Sequence, residues 1–240
     1  MSVRGEITDE MRRRFEDAER TCVAETPLSR PALRPSEASL RAHFTSEAGL
    51  AQAPLANPHL EPRVSAADRA RAVPAAVLLC VVLRETGPTL LVTLRPAGIS
   101  YPGHWVFPGG RCEPGDATPI ESALRETREE VGLEPGRVEV LGRLGDYTSH
   151  SGFRIAPVVA LVSPPFSLRP RPAEVEAVAE IELTRALDPN SYFLYRFPDR
   201  SDRAHFALEG GADGLVLTGV TASLAIGLYS ELTKTHAPSG

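Results

Sequence analysis

Apolar residues return at two different periods along this chain, and the change from one to the other marks out its elements. Near the N-terminus Ile7, Met11, Phe15, Ala18 and Cys22 recur every three or four residues with charges between them. That is the spacing of one helix face, so residues 1–23 are expected to be helical, with Thr8 as the N-cap. Pro27, Pro31 and Pro35 then break the chain, and Ser36–Phe44 reads as a short second helix. Pro54, Pro58 and Pro62 mark residues 51–63 as a linker. Further on, Ala75–Leu83 is a continuous apolar run, expected to be a buried strand. Glu85–Pro88 is a turn, and Thr89–Leu94 pairs back. Val138–Leu144, Ile155–Val162 and Val175–Leu183 are expected to be strands. Pro164, Pro165, Pro170 and Pro172 mark a loop between the last two. Thr184–Leu187 starts a helical turn. Val220, Leu224, Leu228 and Leu232, at steps of four, predict a closing helix over Thr218–Thr233. Strands interleaved with a few helices predict an α+β sandwich over residues 66–240, behind a helical extension and linker over residues 1–65.

One segment breaks the economy of such a fold. Thr118-Pro-Ile-Glu121 is a capping box with proline at the first helical position, and Gly132 supplies a stop. On a wheel of about 100° per residue, Glu126, Glu129 and Glu130 share an arc of roughly 100°. Ile120, Ala123, Leu124, Thr127 and Val131 cluster on another face, which is expected to be the buried one. Like charges at i,i+4 cost a few tenths of a kcal/mol, so a helix selected for stability alone would avoid Glu126 and Glu130 together. A divalent cation removes the conflict, and hard oxygen donors favour magnesium or manganese. Arg125 stands at the i,i+4 spacing from Glu129 that allows a salt bridge. Just upstream, Gly109 and Gly110 after Pro108 permit a tight turn and a close approach of backbone to a ligand.

Bulk properties narrow the partners. The 240 residues are 42% hydrophobic and 24% charged, ordinary for a globular protein, and the net charge is −5. An acidic chain is poorly suited to general nucleic-acid binding. A bound cation would still let it take small anions. Cys22, Cys80 and Cys112 form neither a disulfide framework nor a zinc pattern, which fits a reducing compartment. The longest apolar run, Val73–Leu83, is too short to span a bilayer, and the N-terminus lacks a signal-peptide core. A cytoplasmic protein without membrane attachment is the expectation.

The register Gly110-Arg-Cys-Glu-Pro-Gly-Asp116 through Arg125-Glu126-Thr-Arg-Glu129-Glu130-Val-Gly132-Leu133 resembles the Nudix box, G-x5-E-x7-R-E-U-x-E-E-x-G-U. Thr127 replaces the usual aliphatic residue, the loop is one residue longer, and Asp116 stands near the usual first Glu. This longer loop, followed by Ala-Leu-Arg125-Glu126, resembles the coenzyme A pyrophosphatase branch. So do Leu90-Leu-Val-Thr93-Leu-Arg95, Ile155-Ala-Pro-Val-Val159, Glu174-Val-Glu-Ala-Val178 and Gly219-Val-Thr-Ala-Ser-Leu224. Pro96 and Ile99-Ser100 depart from that branch's additional motif. The resemblance implies a Nudix-type α/β/α sandwich with a mixed sheet. It implies hydrolysis of a nucleoside diphosphate linked to another group, with coenzyme A or acyl-coenzyme A first among substrates. ADP-ribose or a dinucleoside polyphosphate, or a fold that senses ligand without turnover, stand as alternatives.

By the same resemblance Glu126, Glu129 and Glu130 bind Mg2+ or Mn2+, with the Gly110 carbonyl as a further ligand. One of these glutamates, or a carboxylate outside the box, would take the proton of the attacking water. Arg125 would orient Glu129. Gly109 and Gly110 would face the substrate. Arg95, at a strand end, and Arg154 are the candidate phosphate contacts, each weighed against being a plain surface arginine. Tyr147 and Phe153 are expected to serve packing, and His104 and His150 to be solvated. The family often dimerises, and the Ile7–Cys22 stripe is compatible with a homodimer.

Overall fold

The computed structural model describes residues 15–46, 64–198, 205–209 and 214–234. In chain order the elements are β1 (Glu19–Cys22), α1 (Glu37–Thr45), α2 (Ala66–Arg71), β2 (Val73–Arg84), β3 (Gly87–Leu94), β4 (Trp105–Val106), β5 (Gly109–Arg111) and α3 (Pro119–Val131). They continue with β6 (Val138–Arg143), β7 (Tyr147–Thr148), β8 (Phe153–Val162), β9 (Ala177–Glu182), α4 (Leu183–Ala186), β10 (Tyr192–Arg196), β11 (His205–Leu208), β12 (Leu217–Thr218) and α5 (Gly219–Thr233).

The long apolar run forms the central strand because it is covered on both faces. β2 pairs antiparallel with β3 and parallel with β8, from Val73↔Phe153 to Val82↔Val162. The larger sheet runs β4-β3-β2-β8-β6, with β5 on β2, β7 on β8 and β9 on β3. Strand side chains alternate between faces. Ala76, Leu78, Cys80 and Val82 meet Ala123 and Val131 of α3. Ala75, Leu79 and Val81 join the opposite core, with Leu40 and Phe44 of α1 and Leu224 and Leu228 of α5. Leu78 and Leu79 are wholly buried, each contributing about 1.5–3 kcal/mol by transfer from water. The expected mixed α+β sandwich is therefore present, with helices on both faces of the sheet. Among the described residues no helix is long and apolar enough to cross a membrane.

The N-terminal region departs from its helical reading. Residues 1–14, including Thr8 and the first two residues of the apolar stripe, Ile7 and Met11, lie outside the described residues, as does the linker over 51–63. Residues 19–22 are a strand, paired antiparallel with β10 from Glu19↔Arg196 to Cys22↔Phe193. A free strand edge on β10 outweighs the weak local periodicity, as tertiary pairing often does. The Arg20 guanidinium lies 3.3 Å from the Phe193 ring centre, and Arg20 also donates to Tyr195 and Glu209. A second sheet, β1-β10-β11-β12, results. Its last three strands were not expected from the sequence, being only two to five residues long. The Val175–Leu183 strand begins two residues later, at Ala177, because Val175 donates its N–H to the Arg171 carbonyl in a turn.

Candidate functional site

α3 starts and stops where its sequence dictates. The Thr118 hydroxyl accepts from the Glu121 N–H at 3.2 Å, and Glu121 accepts from the Ala117 N–H at 2.9 Å. Pro119 begins the helix and Gly132 ends it in the left-handed conformation, at φ 70°. The cap thus fixes the rotation of Glu126, Glu129 and Glu130 relative to the sheet.

β5 crosses these side chains. Val77, Ala76 and Ala75 of β2 pair with Gly109, Gly110 and Arg111. A Cβ on Gly109 would strike the Ala76 carbonyl oxygen and approach Val77 Cα to 2.6 Å. A Cβ on Gly110 would lie 2.5–2.6 Å from the Glu126 carboxylate. One glycine therefore serves the backbone contact, and the next leaves room for a carboxylate.

Glu130 is 8% exposed, and its Oε2 accepts from the Gly109 N–H at 3.2 Å. It belongs to the buried side of α3, contrary to the expectation that all three glutamates share a separate face. On the same wheel it stands only about 20° from Ala123, so β5 covers both. Burial pushes the Glu130 carboxyl up to about 8; the Glu126 and Glu174 charges add to this, and the Gly109 N–H and Arg95 oppose it. Burial likewise raises Glu126, against the pull of Arg125. Glu129 is the most exposed of the three, at 38% of its side chain.

Arg125 is a hub, and Glu129 is not its main partner. Its Nε and Nη2 each donate to Asp116 at 3.0 Å, a two-pronged pair. Nη2 also reaches the Arg111 carbonyl at 3.0 Å, and Nη1 reaches Glu126 at 3.0 Å and Glu129 at 3.5 Å. Asp116 further accepts from Ser122 Oγ at 2.8 Å and the Glu113 N–H at 2.9 Å. The Arg125 guanidinium, with these donors, holds the Asp116 carboxyl well below the usual range. Sequence spacing measured Arg125 against its helix neighbours alone. The signal for the larger role was Asp116 itself, near the position of the box's first acid.

Neither of the two candidate phosphate contacts bonds a helix glutamate among the described residues, and they differ in surroundings. Arg95 directly follows β3, bonds the Ser100 carbonyl through Nε at 2.8 Å, and its charge favours the ionised form of Glu130. Arg154 is half-exposed, lies 3.8 Å from Asp146, and makes no bond to the helix glutamates among the described residues. Tyr147 is buried in the core, as expected, and Arg111 lies over the Phe153 ring.

The family described as "NUDIX domain" matches residues 73–204, more than half of the chain. The chain belongs to the Nudix family. It is 43% identical over 119 residues to a protein of Photorhabdus laumondii described as "Uncharacterized Nudix hydrolase NudL", covering 49% of this chain and 63% of that one. It is 40% identical over 128 residues to the protein of that description in Escherichia coli K12, covering 52% and 67%. The chain spans about three-fifths of the length of the first curated Nudix relatives it matches. Solved structures similar to it include a Caenorhabditis elegans Ap4A hydrolase binary complex, at TM-score 0.43 and 18% identity, covering 68% of this chain and 96% of that one. A Nudix hydrolase from M. smegmatis, RenU, is similar at TM-score 0.42 and 21% identity, covering 48% and 73%.

Nudix membership implies a divalent cation, and the residues here fit one in chemistry. All the donors beside β5 are oxygens, the set that hard cations prefer. Glu130 is a carboxylate kept from water and pushed towards protonation, a conflict that a cation resolves. As they stand, no three His, Cys, Asp or Glu side chains converge as a ligand set among the described residues. Glu126 is turned to Arg125 and Glu130 to the Gly109 N–H.

Proposed function

We propose that the chain is a divalent-cation-dependent hydrolase of a nucleoside diphosphate linked to a second group, with coenzyme A or acyl-coenzyme A as its substrate. Glu130 carries this reading. A carboxylate more than nine-tenths buried under a glycine strand, beside two further helix glutamates, destabilises the fold unless a cation meets it. Support for coenzyme A comes from the resemblance of the longer loop ahead of α3, and of the Leu90–Arg95 stretch, to that branch of the family.

Glu126, Glu129 and Glu130, with the Gly110 carbonyl, would hold Mg2+ or Mn2+. Bound there, the cation would neutralise the pyrophosphate oxygens and lower the pKa of a water. Gly109 and Gly110, without side chains, let the pyrophosphate approach the backbone. Arg95 meets a phosphate oxygen. Arg125 orients Glu126 and anchors the loop through Asp116, without touching substrate. Arg154 would meet only a part of the substrate away from the scissile bond. With coenzyme A the products are 3′,5′-ADP and 4′-phosphopantetheine.

The test is incubation with Mg2+ or Mn2+ and, separately, coenzyme A, acyl-coenzyme A, NADH, ADP-ribose and dinucleoside polyphosphates, with products resolved by chromatography. Adenosine 3′,5′-bisphosphate released from the coenzyme A compounds alone supports the full reading. Turnover of ADP-ribose alone keeps the hydrolase and removes the substrate. No turnover with either metal sinks both.

A further inference from the structure

In the reading above the cation, the two glycines and Arg95 take the phosphates, and the substrate's base has no contact. The loop between β3 and β4 adjoins these residues. Leu94 pairs with Trp105, and the ladder runs one step further. The Arg95 N–H donates to the His104 carbonyl at 3.0 Å, and the Gly103 N–H to the Arg95 carbonyl at 2.9 Å. Arg95 Nε also donates to the Ser100 carbonyl at 2.8 Å, which closes the loop across its middle. Beyond His104 the chain passes through the buried Trp105 and Phe107 to Pro108, whose carbonyl accepts from the Leu78 N–H at 2.8 Å. Gly109 follows, and its N–H meets Glu130. Backbone hydrogen bonds thus tie the loop to the strand that crosses the glutamates.

Tyr101 sits between two held points, Ser100 and Gly103. It is 61% exposed, and among the described residues no other Phe, Tyr or Trp side chain is exposed. It is also the one non-glycine residue among them with a positive φ, at 58°. A bulky residue seldom adopts that conformation, and the residue before a proline, here Pro102, favours φ near −120°. Core packing does not repay this strain, because the ring lies outside the core. Its ring neighbour is His104, edge-on at 78° with ring centres 6.1 Å apart. His104 is held in turn, with Nδ1 3.1 Å from the Pro102 carbonyl oxygen. An edge-on contact orients the tyrosine ring and leaves its face to the solvent. Strain kept in a tied loop, with an exposed aromatic as its product, is the mark of a ligand contact. The loop therefore carries a cation at its base, Arg95, and an aromatic face at its tip, the two groups that a nucleotide's phosphate and base require.

We propose that Tyr101 is the stacking face for the base of the nucleoside diphosphate, an inference that rests on the hydrolase reading. The base lies flat on the ring, and stacking of this kind accepts any base because each has a π-face. His104 and Ser100 are positioning residues, one through its ring and the other through its carbonyl on Arg95. The contact acts on binding and leaves the bond-breaking step alone.

The full chain is tested as Tyr101→Gly, which removes the ring and suits the positive φ, and as Tyr101→Phe, which keeps the ring. Titration calorimetry with Mg2+ compares ADP, which carries a base, with inorganic pyrophosphate, which does not. In Tyr101→Gly the Kd for ADP should rise about 5–150-fold, the range of one base–aromatic stack. The Kd for pyrophosphate should stay within about threefold, and Tyr101→Phe should match wild type for both. On whichever substrate the wild type turns over, KM should rise with the ADP Kd while kcat stays within about threefold. The Tm of Tyr101→Gly should equal or exceed that of wild type, because the strain is relieved. Equal losses for ADP and pyrophosphate overturn the assignment, since the loop would then act on the phosphates. An unchanged ADP Kd in Tyr101→Gly, or a Tm lower by more than about 5 °C, which would make the ring part of the packing, overturns it too. A wild type without turnover sinks the hydrolase reading, and the ADP and pyrophosphate titrations still decide the base contact. An active wild type with an unimpaired Tyr101→Gly sinks only the base contact.

Discussion

Two adjacent glycines should fail in opposite ways. In Gly109→Ala the new methyl meets backbone, the Ala76 carbonyl oxygen and Val77 Cα, neither of which can turn aside. The residue also sits at φ 150°, where an L side chain is strained. Strain of about 1–3 kcal/mol adds to the loss of one or two β2–β5 hydrogen bonds at about 1 kcal/mol each. A total of about 2–5 kcal/mol should lower Tm by roughly 10 °C in a chain of this size. In Gly110→Ala the methyl's nearest neighbours are the Glu126 carboxylate atoms, the far end of a flexible side chain, at 2.5–2.6 Å. Glu126 swings away at a cost of about 1 kcal/mol for an off-rotamer side chain, and Tm falls by only about 2–4 °C. The displaced carboxylate is a proposed cation ligand, so Mn2+ affinity and kcat/KM should each fall at least about tenfold. Differential scanning calorimetry and titration calorimetry with Mn2+ give the two readings separately. Equal Tm losses in the two variants, or unchanged Mn2+ affinity in Gly110→Ala, would refute this division.

Three further outcomes follow from the same contacts. Asp116→Asn weakens the two-pronged Arg125 pair and should cost about 1–3 kcal/mol. Because Arg125 depresses the folded pKa of Asp116, its stabilisation is fully present above the unfolded value of about 4 and is lost progressively as pH falls from there towards the folded value, so the Tm gap to the variant should begin to narrow below about pH 4. Glu130→Gln keeps an acceptor for the Gly109 N–H while removing a buried charge. Its Tm in EDTA should equal or exceed that of wild type, and the rise in Tm on adding Mn2+ should vanish; a retained rise would count against Glu130 as a ligand. Leu40→Ala empties a wholly buried position where the N-terminal region enters the main core. It should cost about 2–5 kcal/mol and lower Tm by roughly 5–15 °C, and a wild-type Tm would mean that residues 1–65 fold apart from the rest.

What could be read from the sequence is what local chemistry decides. Thr118, Pro119, Glu121 and Gly132 act on backbone groups within four residues of themselves, and α3 runs where they place it. The alternation in β2 was visible as a buried run, because a strand covered on both faces needs apolar side chains throughout. The second sheet was not visible. β1 exists only because β10 offers it an edge more than 170 residues away, and no periodicity within four residues encodes that partner. The same limit applies to the site. The wheel placed three glutamates on one arc, but which of them is buried depends on where β5 crosses, and so the burial of Glu130 came only with the fold. Asp116 was noted for its position near the box's first acid, yet its partnership with Arg125 spans a turn whose path the spacing does not define.

α3 is held at both ends by unrelated devices, and this bears on how a cation would be accommodated. At its N-terminal end the capping box and the Asp116–Arg125 pair lock the loop to the first turns. At its C-terminal end the Arg169 and Arg171 amides occupy the Val131 and Glu130 carbonyls. The backbone that carries the three glutamates therefore has little freedom to shift towards a ligand. Adjustment falls to the side chains, and these are restrained unequally. Glu130 is fixed by burial and the Gly109 amide, whereas Glu126 and Glu129 share one nitrogen of Arg125, at 3.0 and 3.5 Å. Arg125 can release both and still keep its other contacts, to Asp116 through Nε and Nη2 and to the Arg111 carbonyl through Nη2. The hub therefore offers a pair of carboxylates to an incoming cation without loosening the loop, and this is a physical reason for the arginine to bind the loop with one part of its guanidinium and the helix glutamates with another.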